Sequence, residues 1–241
     1  MDEESLRSAF KDAVESGDLE KVKELAAAKP DLANFPLQGR GWRTDMPVTA
    51  AAIEGQAEIV AFLLEIGGDA MENCNFPLAQ AAVRDGNEAA MEVLVANGAD
   101  INRVCNDYGP PLLWAVEGCA LGNIAWLLDR GAQITGSGPS ENEASVPWNV
   151  LKHAGYFNKR CPGMLALLLE RGAAPNSEVA DQQGHPELAN SALHNAAEKG
   201  DIKGVRVLLE YGADPQAKNA EGKRPVDLTR NKKVSEVLEK T

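Results

Sequence analysis

A motif that recurs along this 241-residue chain constrains its fold more than any other feature. In each copy an apolar, alanine-rich segment leads to a turn, a second apolar segment follows, and the copy closes on Gly-Ala-Asp or a close variant. The closing glycines, which follow one another at intervals of 31, 33, 41 and 40 residues, are Gly67, Gly98, Gly131, Gly172 and Gly212. A period of about 33 residues, with insertions in the later copies, predicts stacked helical hairpins.

Simple physical chemistry explains the parts of the motif. Ile59, Val60 and Leu63 follow the spacing of one apolar helix face. The closing glycine stands where a helix end requires a positive φ angle. An earlier glycine, such as Gly55, allows the tight turn between the two helices of a copy. The motif therefore predicts pairs of antiparallel helices.

One copy carries the features of a known repeat. Residues 191–197, Ser-Ala-Leu-His-Asn-Ala-Ala, resemble the ankyrin signature Thr-Pro-Leu-His-x-Ala, and residues 204–225 are similar to the remainder of that repeat. At the position of the signature histidine, His194, the other copies carry Thr49, Leu113 or Asn149. The resemblance implies an all-α fold, an α-solenoid of ankyrin-type helix-turn-helix repeats with projecting hairpin fingers. It also implies structural hydrogen bonds for His194, and a concave groove where partners commonly bind.

The resemblance extends over nearly the whole chain and implies a single ankyrin repeat domain. We expect about six repeats plus a C-terminal cap, because each repeat buries its apolar face only against its neighbours. The expected ranges are 5–35 for an N-terminal capping repeat, 46–76, 77–108, 110–142, 146–185 and 190–222 for the internal repeats, and 225–241 for the C-terminal cap.

Charge and cysteine content exclude several classes of function. The net charge is -12, and the basic residues are concentrated in a tail over residues 216–241. This balance argues against nucleic acid and favours a partner protein with a basic surface. The chain has no run of 18 apolar residues and no secretion signal, so we expect a cytoplasmic protein without membrane contact, and we expect a monomer. None of the four cysteines forms a CxxC pair, so we expect no metal site. Without a secretion signal we also expect reduced thiols.

Four stretches are longer than the repeat requires, namely residues 37–45, 135–146, 156–162 and 185–190. Insertions in repeat proteins commonly map to loops on the binding face. Neutral drift in a tolerant loop explains them equally well. The glycines, serines and charged residues of 135–143 predict a flexible, solvated loop.

The candidates for partner contacts lie in the fingers and at the ends of the first helices. Trp42 and Arg43 stand in a glycine-rich loop, and both residue types are enriched at binding hot spots. The alternative for Trp42 is packing on the first repeat. Tyr108 occupies a finger tip, where we favour contact, whereas Trp148 fits either role. The full candidate set is Trp42, Arg43, Asp45, Glu54, Arg84, Asp85, Asp107, Tyr108, Glu117, His153, Glu198 and Lys199.

Catalytic interpretations of the sequence have less support. His153 stands just before Gly155, at a position that faces the groove in ankyrin-like folds, and Cys161 follows in an inserted loop. A Cys/His nucleophilic pair can be drawn from them, but nothing fixes their distance and no oxyanion element is evident. A metal site from His153, His185 and His194 requires two loops to converge. We expect no catalytic residue, no metal and no cofactor.

The sequence therefore predicts a non-catalytic protein-protein interaction module that binds a partner through its concave groove and finger loops. A rigid groove presents side chains with little ordering cost on binding. The alternative is an enzyme or small-molecule-binding protein whose groove site is roofed by the long fingers at 135–146 and 177–190. An assembly or inhibitor subunit is a third interpretation, which the sequence does not separate from the first.

Overall fold

Short helices that end at glycines make up most of this protein. The computed structural model describes residues 2–37, 46–104, 109–139, 145–176 and 190–240. The chain divides into two compact units. Unit 1 comprises Met1–Ala132 and Pro139–Ala144, and unit 2 comprises Gln133–Gly138 and Ser145–Thr241.

Unit 1 contains four helical hairpins in its described part. Their helices are α1 (Glu3–Ser16), α2 (Leu19–Ala28), α3 (Pro47–Ile53), α4 (Ala57–Glu65), α5 (Glu72–Ala82), α6 (Glu88–Ala96), α7 (Pro111–Gly118) and α8 (Leu121–Asp129), with a 3-10 helix at Pro30–Asn34. The first helices α1, α3, α5 and α7 pack side by side, and the second helices α2, α4 and α6 form the layer behind them.

Unit 2 repeats this plan after a two-stranded sheet. Its elements are β1 (Thr135–Pro139), β2 (Ser145–Asn149), α9 (Val150–Phe157), α10 (Met164–Glu170), α11 (Ala192–Glu198), α12 (Ile202–Glu210), α13 (Pro225–Leu228) and α14 (Lys232–Glu239). The first helices α9, α11 and α13 pack together, and α10, α12 and α14 form the second layer. Within the described residues, no helix is long and apolar enough to cross a membrane.

The recurring motif has the local structure that the sequence predicts. All five closing glycines have φ angles between +86° and +102°, and Gly55 has a φ of +70°. Ile59, Val60 and Leu63 are buried at the centre of their hairpin. Fully buried alanines such as Ala51 and Ala82 occupy the first helices, where the absence of longer side chains lets neighbouring helices approach closely.

Buried polar residues stand at the signature histidine position in some of the repeats that lack it, such as Thr49 and Asn149, whereas Leu113 is apolar. His194 is buried, its ring contacts the Ser191 hydroxyl at 2.7 Å and the Lys223 carbonyl at 3.0 Å, and it therefore makes structural hydrogen bonds as expected. In unit 1 the equivalent position holds Thr49, whose backbone N–H and hydroxyl both donate to the buried carboxylate of Glu72, at 2.8 and 2.5 Å. A histidine in one repeat and a threonine–glutamate pair in another thus make the hydrogen bonds at the same position of the motif.

The segment that the sequence predicts as a flexible, solvated loop begins with β1, which pairs with β2. Trp148 is only 4% exposed, and its indole N–H donates to the Gln133 carbonyl at 3.2 Å. Gly136 lies directly against this ring, because a Cβ there would stand 2.6 Å from Cζ2 of Trp148. Of the two roles expected for Trp148, partner contact or structure, its buried position supports the structural one. The prediction of a flexible loop is wrong for residues 135–139.

Candidate functional site

Five of the predicted contact residues lie outside the described residues. They are Trp42, Arg43, Asp45, Asp107 and Tyr108. The remaining seven candidates divide between the units. Glu54, Arg84, Asp85 and Glu117 belong to unit 1, and His153, Glu198 and Lys199 belong to unit 2.

A ladder of side-chain amides brings the ends of the first helices of unit 1 together. Each amide stands at the start of a second helix and donates to a carbonyl at or just after the end of the first helix of the preceding repeat. The pairs are Gln56 Nε2 to Glu15 O at 3.3 Å, Asn87 Nδ2 to Ile53 O at 3.1 Å, and Asn123 Nδ2 to Arg84 O at 2.6 Å. Because buried carbonyls need partners, this ladder satisfies the helix ends and sets them in one row.

The exposed side chains of this row are mostly carboxylates. Glu54 caps α3, Arg84 and Asp85 follow α5, and Glu117 lies in the last turn of α7. All four are exposed, and Glu15 near the end of α1 is a further exposed member that sequence reasoning missed. We name Glu15, Glu54, Asp85 and Glu117 the acidic row.

Close backbone packing holds the acidic row at α5 and α7. A Cβ at Gly118 would stand 2.1 Å from the Val83 carbonyl oxygen, so only glycine lets α7 approach α5 here. Asp85 accepts a hydrogen bond from the backbone N–H of Asn123 at 3.0 Å. Partial burial raises the pKa of Glu117 above its ordinary value. The row is therefore fixed in place before any partner binds.

The candidates in unit 2 have a different character. His153 is half-buried, and burial, followed by the charge of Lys152, lowers its pKa to about 4, so the ring is neutral at pH 7. Glu198 is exposed, and the Lys199 ammonium stands 3.5 Å from the centre of the Tyr156 ring. Tyr156 is 46% exposed, and the sequence analysis did not single it out as a contact residue.

The two units carry different charge. Unit 1 has 10 basic and 24 acidic residues, whereas unit 2 has 14 basic and 12 acidic residues. The net charge is therefore -14 for unit 1 and +2 for unit 2. The net negative charge of the chain therefore lies in unit 1. From the sequence, only the C-terminal tail was distinguished by its charge.

The nucleophilic chemistry considered for Cys161 is not available to it. Cys161 is 4% exposed and disulfide-bonded, so it has no thiolate to offer. Cys119 is disulfide-bonded as well, and the expectation of reduced thiols is therefore wrong at both positions. Within the part of the chain that the structure describes, no three His, Cys, Asp or Glu residues are grouped to hold a metal ion. His185 lies outside that part.

Comparison with known proteins identifies the class of protein that these stacked hairpins define. The family model for ankyrin repeats in three copies matches residues 10–105 and 51–138, and the model for a single ankyrin repeat matches residues 190–220. The chain belongs to the ankyrin repeat family. Its fold is the all-α ankyrin repeat solenoid.

Solved structures agree on the fold. The ankyrin repeat domain of Bcl-3 superposes with a TM-score of 0.69 at 24% identity, covering 96% of this chain and 97% of that domain. The ankyrin repeat domain of human ASB11 gives a TM-score of 0.71 at 22% identity, covering 95% and 96%.

Two relatives match over most of this chain. The ankyrin repeat protein FPV022 of fowlpox virus is 27% identical over 207 residues, which is 86% of this chain and 31% of the relative. The oxysterol-binding protein homolog 1 of Saccharomyces cerevisiae is 40% identical over 204 residues, which is 84% of this chain and 13% of the relative. The chain thus spans less than a third of the length of either relative.

Proposed function

We propose that this ankyrin repeat domain is a non-catalytic protein-binding module whose unit 1 recognises a cationic segment of another protein. The observation that carries the proposal is the acidic row, in which Glu15, Glu54, Asp85 and Glu117 stand exposed at the ends of adjacent first helices. Complementary charge steers association and selects among partners. A lysine- or arginine-rich segment is the chemistry that fits this row.

Preorganisation supports the proposal. The amide ladder from Gln56, Asn87 and Asn123 ties the helix ends to the following repeats. Side chains on such fixed ends lose little additional backbone freedom when a partner binds, which reduces the cost of association. The finger residues Trp42 and Tyr108 are proposed as additional contacts on the strength of their residue type alone.

Within the described residues, no observation favours an enzyme over a binding module. The disulfide at Cys161 removes the one nucleophile that the sequence suggested. The expectation of reduced thiols followed from the expected cytoplasmic location, and the disulfide-bonded Cys119 and Cys161 do not support that location. An assembly or inhibitor subunit would use the same acidic row, with a constant partner.

The test neutralises the acidic row without changing its shape. The triple variant combines Glu54→Gln, Asp85→Asn and Glu117→Gln. Each substitution keeps the side-chain volume and removes one charge. We expect proteins that wild type retains in affinity purification to be lost, with an unchanged melting temperature. The matched control, Glu58→Gln, Glu65→Gln, Glu88→Gln, removes three charges from the second helices and should retain the same partners. Equal retention by both variants would show that the row is not the recognition surface.

A separate variant tests the fingers. Trp42→Ala with Tyr108→Ala should weaken the same partner, because truncating aromatic anchors commonly costs about 2 kcal/mol or more of binding free energy. The melting temperature should change little. A folded variant that binds as well as wild type would remove the fingers from the interface, and an unfolded one would make the two residues structural.

A further inference from the structure

A groove in unit 2 lies between the turns of two successive hairpins. The turn from α9 to α10 spans residues 158–163 and is the longest such turn among the described hairpins, since it carries one of the insertions. Together with residues 200–203, which comprise the end of the next turn and the start of α12, it encloses a groove of about 410 Å³. Its floor is apolar and consists of Leu165, Ala166, Ile202 and Val207.

Hydrogen bonds fix both walls of this groove. Asn158 Nδ2 donates to Asp201 Oδ2 at 2.6 Å, and Asn158 Oδ1 accepts from the backbone N–H of Leu165 at 3.1 Å. The second oxygen of Asp201 accepts from the backbone N–H of Gly204 at 3.0 Å. The Lys159 ammonium donates to the Lys199 carbonyl at 2.9 Å, which joins one turn to the other. The groove is therefore preformed.

Cations dominate the rim of the groove. The charged residues on the two turns and the adjoining helix ends are Lys159, Arg160, Glu198, Lys199, Asp201 and Lys203. Within the described residues, no carboxylate forms an ion pair with Lys159, Lys199 or Lys203. Asp201 is buried and both of its oxygens already accept hydrogen bonds inside the wall. These three lysines thus present positive charge that no described carboxylate neutralises.

An exposed aromatic residue extends this surface. Tyr156 packs edge-on against Phe157, with ring centres 5.2 Å apart, while the Lys199 ammonium covers one face of its ring. Tyr156 and Tyr211 are the large hydrophobic side chains that stand exposed in the described residues. Tyrosine is a frequent residue at the centre of binding sites, because it offers apolar area and a hydroxyl with little entropy to lose.

We propose that this surface, the basic groove, binds an acidic peptide segment of a partner protein. An aliphatic or aromatic side chain of the peptide enters the apolar floor, and neighbouring carboxylates pair with Lys159, Lys199 and Lys203. The apolar floor favours a peptide over a nucleic acid, whose affinity would come from phosphate contacts and would leave the floor unused. The basic groove is independent of the acidic row, because it lies in the other unit and selects the opposite charge.

The test selects peptides on the intact chain. A display library of short random peptides is panned on wild type, and each enriched peptide is then measured by fluorescence polarisation against wild type and against Lys159→Glu with Lys203→Glu. We expect the enriched peptides to combine acidic residues with an apolar one, and to bind the variant about tenfold or more weakly. The control Lys232→Glu with Lys233→Glu, which changes the same charge on α14, should bind them as wild type does.

Two further arms keep the proposal falsifiable. Ala166→Gln fills the floor without changing charge and should weaken the peptides, while circular dichroism and the melting temperature report whether the variant folds. A labelled oligouridine tests the nucleic-acid alternative. Failure to enrich acidic peptides, or equal binding to the Lys159/Lys203 variant, would overturn the proposal. Oligouridine binding that exceeds the peptides and is lost in that variant would assign the groove to nucleic acid instead.

Discussion

Unit 1 and unit 2 are built from the same helical hairpin, yet they differ in charge by 16, with -14 on unit 1 and +2 on unit 2. The residues that hold each unit together are alike: small buried residues in the first helices, glycines with positive φ at the helix ends, and asparagines that cap carbonyls. The charged side chains carry the difference, and among the described ones only Glu72 and Asp201 are buried. The repeat therefore prescribes the packing and leaves the surface free.

This separation has a functional consequence. In a repeat protein each copy contacts only its neighbours, so a change at an exposed hairpin end has little effect on distant copies. The acidic row and the basic groove can accordingly serve two partners of opposite charge. If one unit instead depended on features of the other, a substitution in one would change the stability or the binding of both.

The largest effect is expected from packing that a glycine alone permits. Gly118→Ala would place a Cβ 2.1 Å from the Val83 carbonyl oxygen, so α5 and α7 must separate. We expect a loss of about 3 kcal/mol in the free energy of unfolding, measured by urea denaturation. The matched control is Gly131→Ala, where no atom stands within 4 Å of the added Cβ but φ is +88°. It should cost only about 1 kcal/mol, and equal losses would show that backbone conformation, not helix contact, sets the requirement.

The second-largest effect is a pH dependence of the free energy of unfolding that arises in unit 2. All three histidines belong to unit 2, and the pKa of His153 is lowered to about 4 by burial and by Lys152. Between the unfolded pKa of about 6.5 and the folded pKa of about 4, the unfolded chain binds more protons. Stability conferred by neutral His153 is therefore complete above pH 6.5 and is lost as the pH falls towards 4.

Replacing His153 tests this assignment. Since the ring is only half-buried, we expect wild type to lose about 2 kcal/mol over this range through His153, and His153→Gln to remove most of that slope. Thermal unfolding recorded at successive pH values measures it. His194, whose pKa is also lowered by burial, remains in the variant and accounts for a residual slope. An unchanged slope would place the acid sensitivity elsewhere.

The sequence predicts the hairpins well because their signals are local. Closing glycines, apolar spacing and small residues each act within one copy, and the structure confirms them. Where the sequence prediction missed a feature, a different residue stands in place of the usual local signal. Cys119 has a φ of +66° at the position where other copies carry glycine, so the expected turn is present without its marker. Helix α5 begins at Glu72, ahead of the expected repeat start at 77, and this first residue is the buried acceptor for Thr49.

The candidate sites are harder to predict because they combine residues from different copies. Glu54, Asp85 and Glu117 could be named from their matching places in the motif, and Glu15 could have been found by the same rule. The basic groove could not, since Asn158 and Asp201 are 43 residues apart and their contact depends on how two hairpins stack. An insertion is visible in the sequence at 156–162, but the surface it creates is visible only in three dimensions.

The smallest effect concerns the protonation of the acidic row. Because partial burial raises the pKa of Glu117, this carboxylate takes up a proton at a higher pH than an ordinary glutamate does. A cationic partner should therefore bind a few-fold more weakly as the pH falls into the acidic range, a loss below about 1 kcal/mol. Glu117→Gln removes the titrating group, so its binding should be weaker at neutral pH but flatter with pH, as measured by calorimetry with an oligolysine peptide. Glu58→Gln, which lies on the second helix α4, should retain the pH dependence of wild type. If Glu117→Gln keeps that dependence too, the charge of Glu117 takes no part in recognition, and the acidic row would end at Asp85.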